Sequence, residues 1–275
     1  MSYTHNPLNF KGAAGLYGYK PDCHDKSKDK LYGADEHTQK EVIASLSNLA
    51  ATGVVDLRDQ PQAPIYDQGQ LASCTANATA AMLSFVEGKE GNTPEQLSRL
   101  FIYRRARKLE GTIDTDSGAT LADTLLGIAE KGAPLESDWP YDVTKFADLA
   151  PPAVWGEAWS RIAGFDYFRL TSLSDMKACL DAGYPFVFGI QVYDTFESQT
   201  VADTGMVPMP NVELEQCLGG HALCCMGYSN AMQAFLVRNS WSDAWGINGY
   251  CWIPYAYLND PSLASDFWCA RLIKK

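Results

Sequence analysis

Four side chains in this sequence have the types and settings that acyl-transfer chemistry needs. Gln68, Gly69, Gln70, Leu71, Ala72 and Ser73 make a flexible polar loop that delivers Cys74 to the start of a long apolar stretch. At a helix start the unpaired N–H groups and the helix dipole favour a thiolate, which is the nucleophilic form of the side chain. Taken alone, such a cysteine is more often a buried structural residue. His221 follows two glycines at the head of an apolar strand and is the only histidine outside the N-terminal stretch that holds His5, His24 and His37. Taken alone, it reads as a satisfied core histidine. Asn239, in Arg238, Asn239, Ser240, Trp241, has a side chain that can accept from an imidazole N–H and fix the ring's tautomer and tilt, although its bland role is a turn residue. In chain order these give a nucleophile, a base and an orienting group, with Gln68 six residues before Cys74 able to donate to a developing oxyanion.

These residues must be positioned by a chain of 275 residues, 46% hydrophobic and 20% charged, long enough for one large fold or two halves sharing a cleft. Thirty-three acidic against 22 basic residues give a net charge of −11, and no Lys/Arg block longer than 104–108 offsets it, which argues against a nucleic-acid partner. No apolar run is long enough to span a membrane, and Met1 to Lys20 lacks the pattern of a Sec signal. The compartment therefore stays open. The eight cysteines are scattered over a chain too large to need staples, so no disulfide scaffold is expected.

Residues 1–53 are polar and interrupted, with only Glu41 to Ala51 looking helical, and read as an N-terminal extension. Residues 54–165 read as a mainly helical subdomain carrying the nucleophile. Cys74 to Gly88 suits a helix buried on nearly every side. Thr93 as N-cap, Pro94 at the first position and Gln96 closing a capping box predict the next helix, and Leu121, Thr124, Leu125 and Ile128 a third, stopped by Gly132. Residues 166–275 read as mainly β. One helix starts at Ser172 and ends near Gly183, and apolar runs at Tyr184 to Val192, His221 to Tyr228, Ala234 to Arg238 and Tyr250 to Tyr255 read as strands. Helices segregated before strands indicate an α+β fold of two subdomains.

The Gln-Gly loop ending in Ser73 and Cys74, the Gly220, His221, Ala222 segment, and Asn239, Ser240, Trp241 followed by Trp245, Gly246, Gly249 and Tyr250 together resemble papain-like cysteine peptidases. His221 lies 147 residues after Cys74, inside the family spacing of about 130–150; Asn239 lies 165 after it, which an insertion in the strand-rich half explains. The resemblance covers about Val54 to Lys275, and the extension is similar to that of bacterial members. It implies a helical left subdomain against an antiparallel, barrel-like right one, with the active-site cleft between. It further implies a Cys74 nucleophile, a His221 imidazolium that stabilises it, Asn239 as orienting group, and Gln68 with the Cys74 N–H as oxyanion donors. Trp241 would shield the Asn239 to His221 contact, and an extended peptide or protein substrate would pair near Gly118, with Gly220 also against it and Ala119 and Gly189 in the pocket for the second residue before the cleaved bond, where the family prefers bulky apolar side chains. No metal and no cofactor is implied.

The sequence departs from plant and lysosomal members at Leu71, which replaces a disulfide cysteine, at Thr75, which replaces an aromatic, and at Gly220, which replaces an acidic residue. By resemblance, Cys217 and Cys269 lie where another family disulfide sits. Two roles stay open for the extension: folding back over the cleft to limit access to Cys74, or bracing the outer surface of the β subdomain. Competing functions are a Cys-His acyl transferase, an inactive papain-fold binding protein, and a zinc module on His221, Cys224 and Cys225. Consecutive residues on a strand point to opposite faces, which disfavours the zinc site. Asn77, Ala78, Thr79 matches a glycosylation acceptor but falls inside the expected buried helix.

Overall fold

Small residues let one helix run through the centre of its half. Helix α2 (Cys74–Lys89) presents Ala76, Ala78, Ala80 and Ala81 among Met82, Phe85 and Val86, and every residue from Cys74 to Val86 is buried. Its polar members are absorbed internally: Ser84 Oγ accepts from the Ala63 N–H at 3.1 Å. The structure is a computed structural model that describes residues 17–48, 53–161 and 165–272. His5 and the end of the helix expected over Glu41 to Ala51 fall outside these residues.

In chain order the elements are β1 (Tyr19–Lys20), α1 (Glu36–Asn48), β2 (Val54–Asp56), α2, α3 (Arg99–Leu109), β3 (Ala119–Thr120), α4 (Leu121–Lys131), α5 (Pro152–Ser160), β4 (Phe165–Arg169) and α6 (Leu173–Asp181). Then come β5 (Phe186–Tyr193), α7 (Gln199–Thr204), β6 (Cys217–Ser229), β7 (Ala234–Arg238), β8 (Tyr250–Pro254), α8 (Tyr255–Asn259) and β9 (Ala264–Leu272). Helices therefore dominate up to about residue 160 and strands beyond it, an α+β arrangement.

Seven strands form one sheet in the order β4-β9-β5-β6-β7-β8, with β2 also paired to β6, and every pairing in it is antiparallel. The sheet does not close: β4 and β8 are its two ends, so a barrel-like shape is approached only by twist and bulges. Its inner face packs Phe186, Phe188, Phe235 and Phe267 ring to ring and meets α2 through β6 and β9. The hydrophobic core is continuous from α2 into the sheet.

Helix α3 begins later than the capping box at Thr93 predicts. Ser98 is its N-cap, accepting from the Phe101 N–H at 3.2 Å, while Leu97 bridges Leu135 and Gln96 O accepts from the Glu136 N–H at 2.7 Å. Extended pairing to 135–136 outcompetes the local capping signal. Helix α4 starts at the Thr120 cap and stops at Gly132, whose φ of 69° only glycine adopts freely, and α6 starts at the Ser172 cap, both as patterned.

Cysteine pairing differs from the disulfide that the resemblance suggested. Cys269 is in register with Phe186 and Cys217 with Tyr193, seven residues apart along β5 and so roughly 23 Å distant, where a bridge needs Cα atoms within about 7 Å. Buried Cys269 instead meets Cys179 of α6, and exposed Cys217 lies against Gln191. Among the described residues, which include all eight cysteines, none is in a disulfide.

Candidate active site

The loop before α2 is held from behind by a cation between two phenols. Arg99 stacks at 4.4 Å on Tyr66 and 4.0 Å on Tyr141, is paired to Glu136 at 2.7 Å, and donates to Asp67 O and to Asn77 Oδ1. Asn77 in turn donates to Ser73 O and Oγ, and Tyr141 donates to Gln68 O at 2.9 Å. The loop and the first turn of α2 are thus one rigid unit. Asn77 is 1% exposed and fully engaged, so the glycosylation match is accidental. Arg99 and Tyr141 carry no motif, and the motif that contains Asn77 points to a different role, so the sequence does not reveal this framework.

Gln68 ties this wall to the sheet. Its N–H donates to Ser240 O at 2.9 Å, its Oε1 accepts from Ser240 Oγ at 2.6 Å, and its Nε2 donates to Leu71 O at 3.0 Å. Across the cleft, Asn239 follows the end of β7 and is fixed by its N–H to Gly249 O. Asn239 Oδ1 accepts from the Ser240 N–H and faces His221 Nε2 at 2.8 Å, so the ring nitrogen on that side carries the proton. His221 Nδ1 is left buried with no hydrogen-bond partner, as the lone-pair end of a neutral imidazole. Trp241 stacks on the ring at 4.8 Å and is itself packed on Phe196 and Trp245, which keeps water from the His221 to Asn239 bond.

Cys74 comes to the same place. Its sulfur lies against the backbone N–H of Ala222, the residue after His221 on β6, and of Thr75 and Gly18. Cys74, His221, Asn239, Gln68 and Trp241 are therefore brought together from three segments, all of them buried. Cys224 and Cys225, the other zinc candidates, turn instead to Met226 Sδ and Gly227 O.

The N-terminal segment fills the cleft between the two walls. β1 pairs in parallel with β3, the Ala119 N–H donates to Gly18 O at 2.7 Å, and Gly18 packs so tightly on Ala72 and Gly118 that no side chain could stand at either glycine. Gly118 also needs its φ of +72°. The Tyr19 ring lies on Gly189, where a Cβ would enter it, and beside Gly220, and its hydroxyl donates to Asp266 Oδ2 at 2.6 Å next to Ser265 Oγ. Tyr17 rests on Gly219 and donates to Glu197. Gly118, Ala119, Gly189 and Gly220 are thus gathered along one groove, and this chain's own residues occupy it. Tyr19, Ser265 and Asp266 are not legible in the sequence, because an isolated tyrosine and a polar pair inside a late strand carry no spacing signal.

Enclosure sets the electrostatics. Burial pushes the Cys74 thiol up to about 11, against the backbone N–H groups that would lower it. Burial pulls His221 down to about 4, only partly offset by Asn239. Both shifts favour the uncharged forms while the groove is covered, the opposite of what an imidazolium-thiolate pair needs. A covered cleft withholds the water and partner charge that the ionised forms need.

Comparison with known proteins places the whole chain. Residues 51–269 match the family described as papain family cysteine protease. The chain is 40% identical over 267 residues, 92% of its length and 85% of the relative's, to an uncharacterized peptidase C1-like protein of Acanthamoeba polyphaga mimivirus. It superposes on the crystal structure of xylellain, a cysteine protease from Xylella fastidiosa, with a TM-score of 0.84 and 33% identity, covering 94% of this chain and 97% of that one. A procathepsin L2 proteinase from Tenebrio molitor larval midgut shares the fold at a TM-score of 0.70 and 18% identity, over 94% and 79% of the two chains.

Proposed function

The chain belongs to the papain family of cysteine proteases and is a cysteine-type peptidase, and on that premise we propose that Cys74, His221, Asn239 and Gln68 are its catalytic residues and that residues 17–20 hold them closed. Once the groove is vacated, the Cys74 thiol passes its proton to His221 Nδ1 and the sulfur attacks the peptide carbonyl. Gln68 Nε2 and the Cys74 N–H receive the oxyanion. His221 returns the proton to the leaving amine as the C–N bond breaks, leaving a thioester on Cys74. It then takes a proton from the water that attacks the thioester, releasing the acid and the thiol. Asn239 keeps Nε2 protonated throughout, so that Nδ1 is the nitrogen that shuttles.

The observation that carries this reading is the His221 Nε2 to Asn239 Oδ1 bond of 2.8 Å under the Trp241 ring, with the Cys74 sulfur against the very next residue of the strand. The peptide substrate replaces Tyr17–Lys20 against Gly118 and Ala119. Labelling by an epoxide peptide inhibitor tests the assignment: one equivalent on the opened enzyme, none after Cys74→Ala, and a fall in labelling rate of roughly two orders of magnitude or more after His221→Ala. Labelling that persists in Cys74→Ala would remove Cys74 from the role.

A further inference from the structure

One guanidinium lies behind both groups that would receive the oxyanion. Arg99 donates to Asp67 O at 3.2 Å and to Asn77 Oδ1 at 3.0 Å, while Glu136 takes its other edge at 2.7 Å. A trans peptide unit is planar, so its C=O and the N–H that follows point to opposite sides, and pinning one aims the other. Holding Asp67 O therefore aims the Gln68 N–H, which donates to Ser240 O at 2.9 Å and seats Gln68 on the opposite wall.

Asn77 carries the same constraint to Cys74. Ser73 O accepts from the Asn77 N–H and from Asn77 Nδ2, each at 3.0 Å. With that carbonyl fixed from the helix side, the Cys74 N–H of the same peptide is turned out of α2 toward the cleft. The second of these bonds depends on which way the Asn77 amide faces. Arg99 supplies the donor that holds Oδ1 and so leaves Nδ2 toward Ser73 O; an amide turned the other way would set oxygen against oxygen. Asn77 is 1% exposed, so solvent does not substitute for Arg99 there.

Orientation outweighs charge in this arrangement. Glu136 pairs with the guanidinium, and the Tyr66 and Tyr141 rings enclose it on both faces, so little net charge is left to act on Cys74. Tyr141 adds a further tie, its hydroxyl donating to Gln68 O at 2.9 Å. We infer that Arg99 is a positioning residue for peptide hydrolysis, acting through Asn77 on the Cys74 N–H and through Asp67 on Gln68. The inference rests on Cys74 and Gln68 serving the oxyanion as proposed above. Deleting one oxyanion donor outright costs roughly 10²–10³ in kcat, and loosening two without deleting either costs less, about tenfold.

The test compares two reactions of Cys74 in the full chain carrying Gly18→Ala, where a Cβ meets the Ala72 carbonyl, to free the cleft strand. Hydrolysis of a fluorogenic peptide passes through an oxyanion, whereas alkylation by iodoacetamide displaces iodide and needs none. Both require an open cleft, so the ratio of their second-order rate constants does not depend on how far the cleft opens. Arg99→Gln is expected to lower this ratio about tenfold, through kcat and with KM unchanged. Arg99→Lys keeps a cation beside Glu136, and with it the fold, but one ammonium cannot serve Glu136, Asp67 O and Asn77 Oδ1 together, so the ratio falls there too. A ratio within about twofold of the Arg99 parent in Arg99→Gln, or in Arg99→Lys should Arg99→Gln not fold, overturns the inference, as do equal losses of hydrolysis and alkylation. Alkylation without hydrolysis in the parent, or hydrolysis that survives Cys74→Ala, removes the catalytic reading on which the inference rests. Hydrolysis that needs Cys74 and ignores Arg99 removes the positioning role alone.

Discussion

The N-terminal extension does two different things within some 30 residues. Tyr17–Lys20 enters the cleft, where it is held by a two-residue parallel pairing, by close approach of glycines and by the Tyr19 and Tyr17 hydroxyls. From Asp22 onward the chain leaves the cleft and braces the outer side of the sheet. There Arg169 is paired with Asp22, Asp29 and Asp266 and stacks on Trp268 at 4.1 Å. Tyr32 and Arg169 exchange backbone hydrogen bonds with the neighbouring segment, and α1 lies on α6 with Glu41 paired to Arg271 at 2.7 Å. The two roles that the sequence left open for the extension are thus both places where the chain goes.

The difference teaches where the molecule can open. The cleft strand is held by a few backbone bonds of about 1 kcal/mol each, by the Tyr17 and Tyr19 bonds to carboxylates at about 1.5–3 kcal/mol each, and by the partly exposed Lys20–Glu110 pair. The arm rests on buried, multiply paired charges, and breaking such a cluster by removing one partner costs about 3–5 kcal/mol. Local opening of Tyr17–Lys20 with the arm still docked is therefore expected to cost less than undocking the arm.

The largest effect is expected from breaking the arm. Arg169→Met removes the cation shared by three carboxylates, two of them fully buried at the side chain, and should destabilise the chain by about 3–5 kcal/mol in denaturant titration. A loss under 1 kcal/mol would mean that the arm is not anchored there. Gly18→Ala addresses the cleft strand alone, since a Cβ there collides with the Ala72 carbonyl. The rate of Cys74 alkylation at pH 7 should rise tenfold or more with little change in melting temperature. Its pH profile sharpens the point. In the parent chain the thiolate, and hence alkylation, grows in only as pH climbs toward about 11; the Gly18→Ala profile should rise at distinctly lower pH, because hydration and an ionised His221 then stabilise the sulfur. Superimposed profiles would show that the strand does not control access. The smallest effect belongs to Tyr32→Phe, which removes the bond to Glu41 and should cost about 1 kcal/mol while leaving alkylation unchanged.

Legibility in the sequence followed the range of the forces involved. Cys74, His221 and Asn239 could be read because each sits in a short segment whose neighbours are themselves constrained: a polar loop before an Ala-rich helix, two glycines before a strand, two indoles after it. Thr93 misled because its capping pattern is local, and a pairing of Leu97 with Leu135, distant in sequence, overrode it. β1 and β3 are two residues each, too short for any periodicity, and exist only because each supplies the other's partner. β4 and β9 mix Asp, Arg and Ser with aromatics, a pattern that does not read as a strand until Arg169 and Asp266 are paired with one another.

By itself the sequence determined the α+β division, the family's chemistry and which cysteine, histidine and asparagine could serve it, because side-chain type and local backbone preference are properties of the chain. Tertiary structure alone decided that the extension splits between cleft and outer face, that burial shifts Cys74 up and His221 down, and that Asp266 lies at the end of the Tyr19 ring. Those outcomes depend on solvent exclusion and on which charges meet, and both are set only when segments as far apart as Asp22 and Asp266 pack against each other.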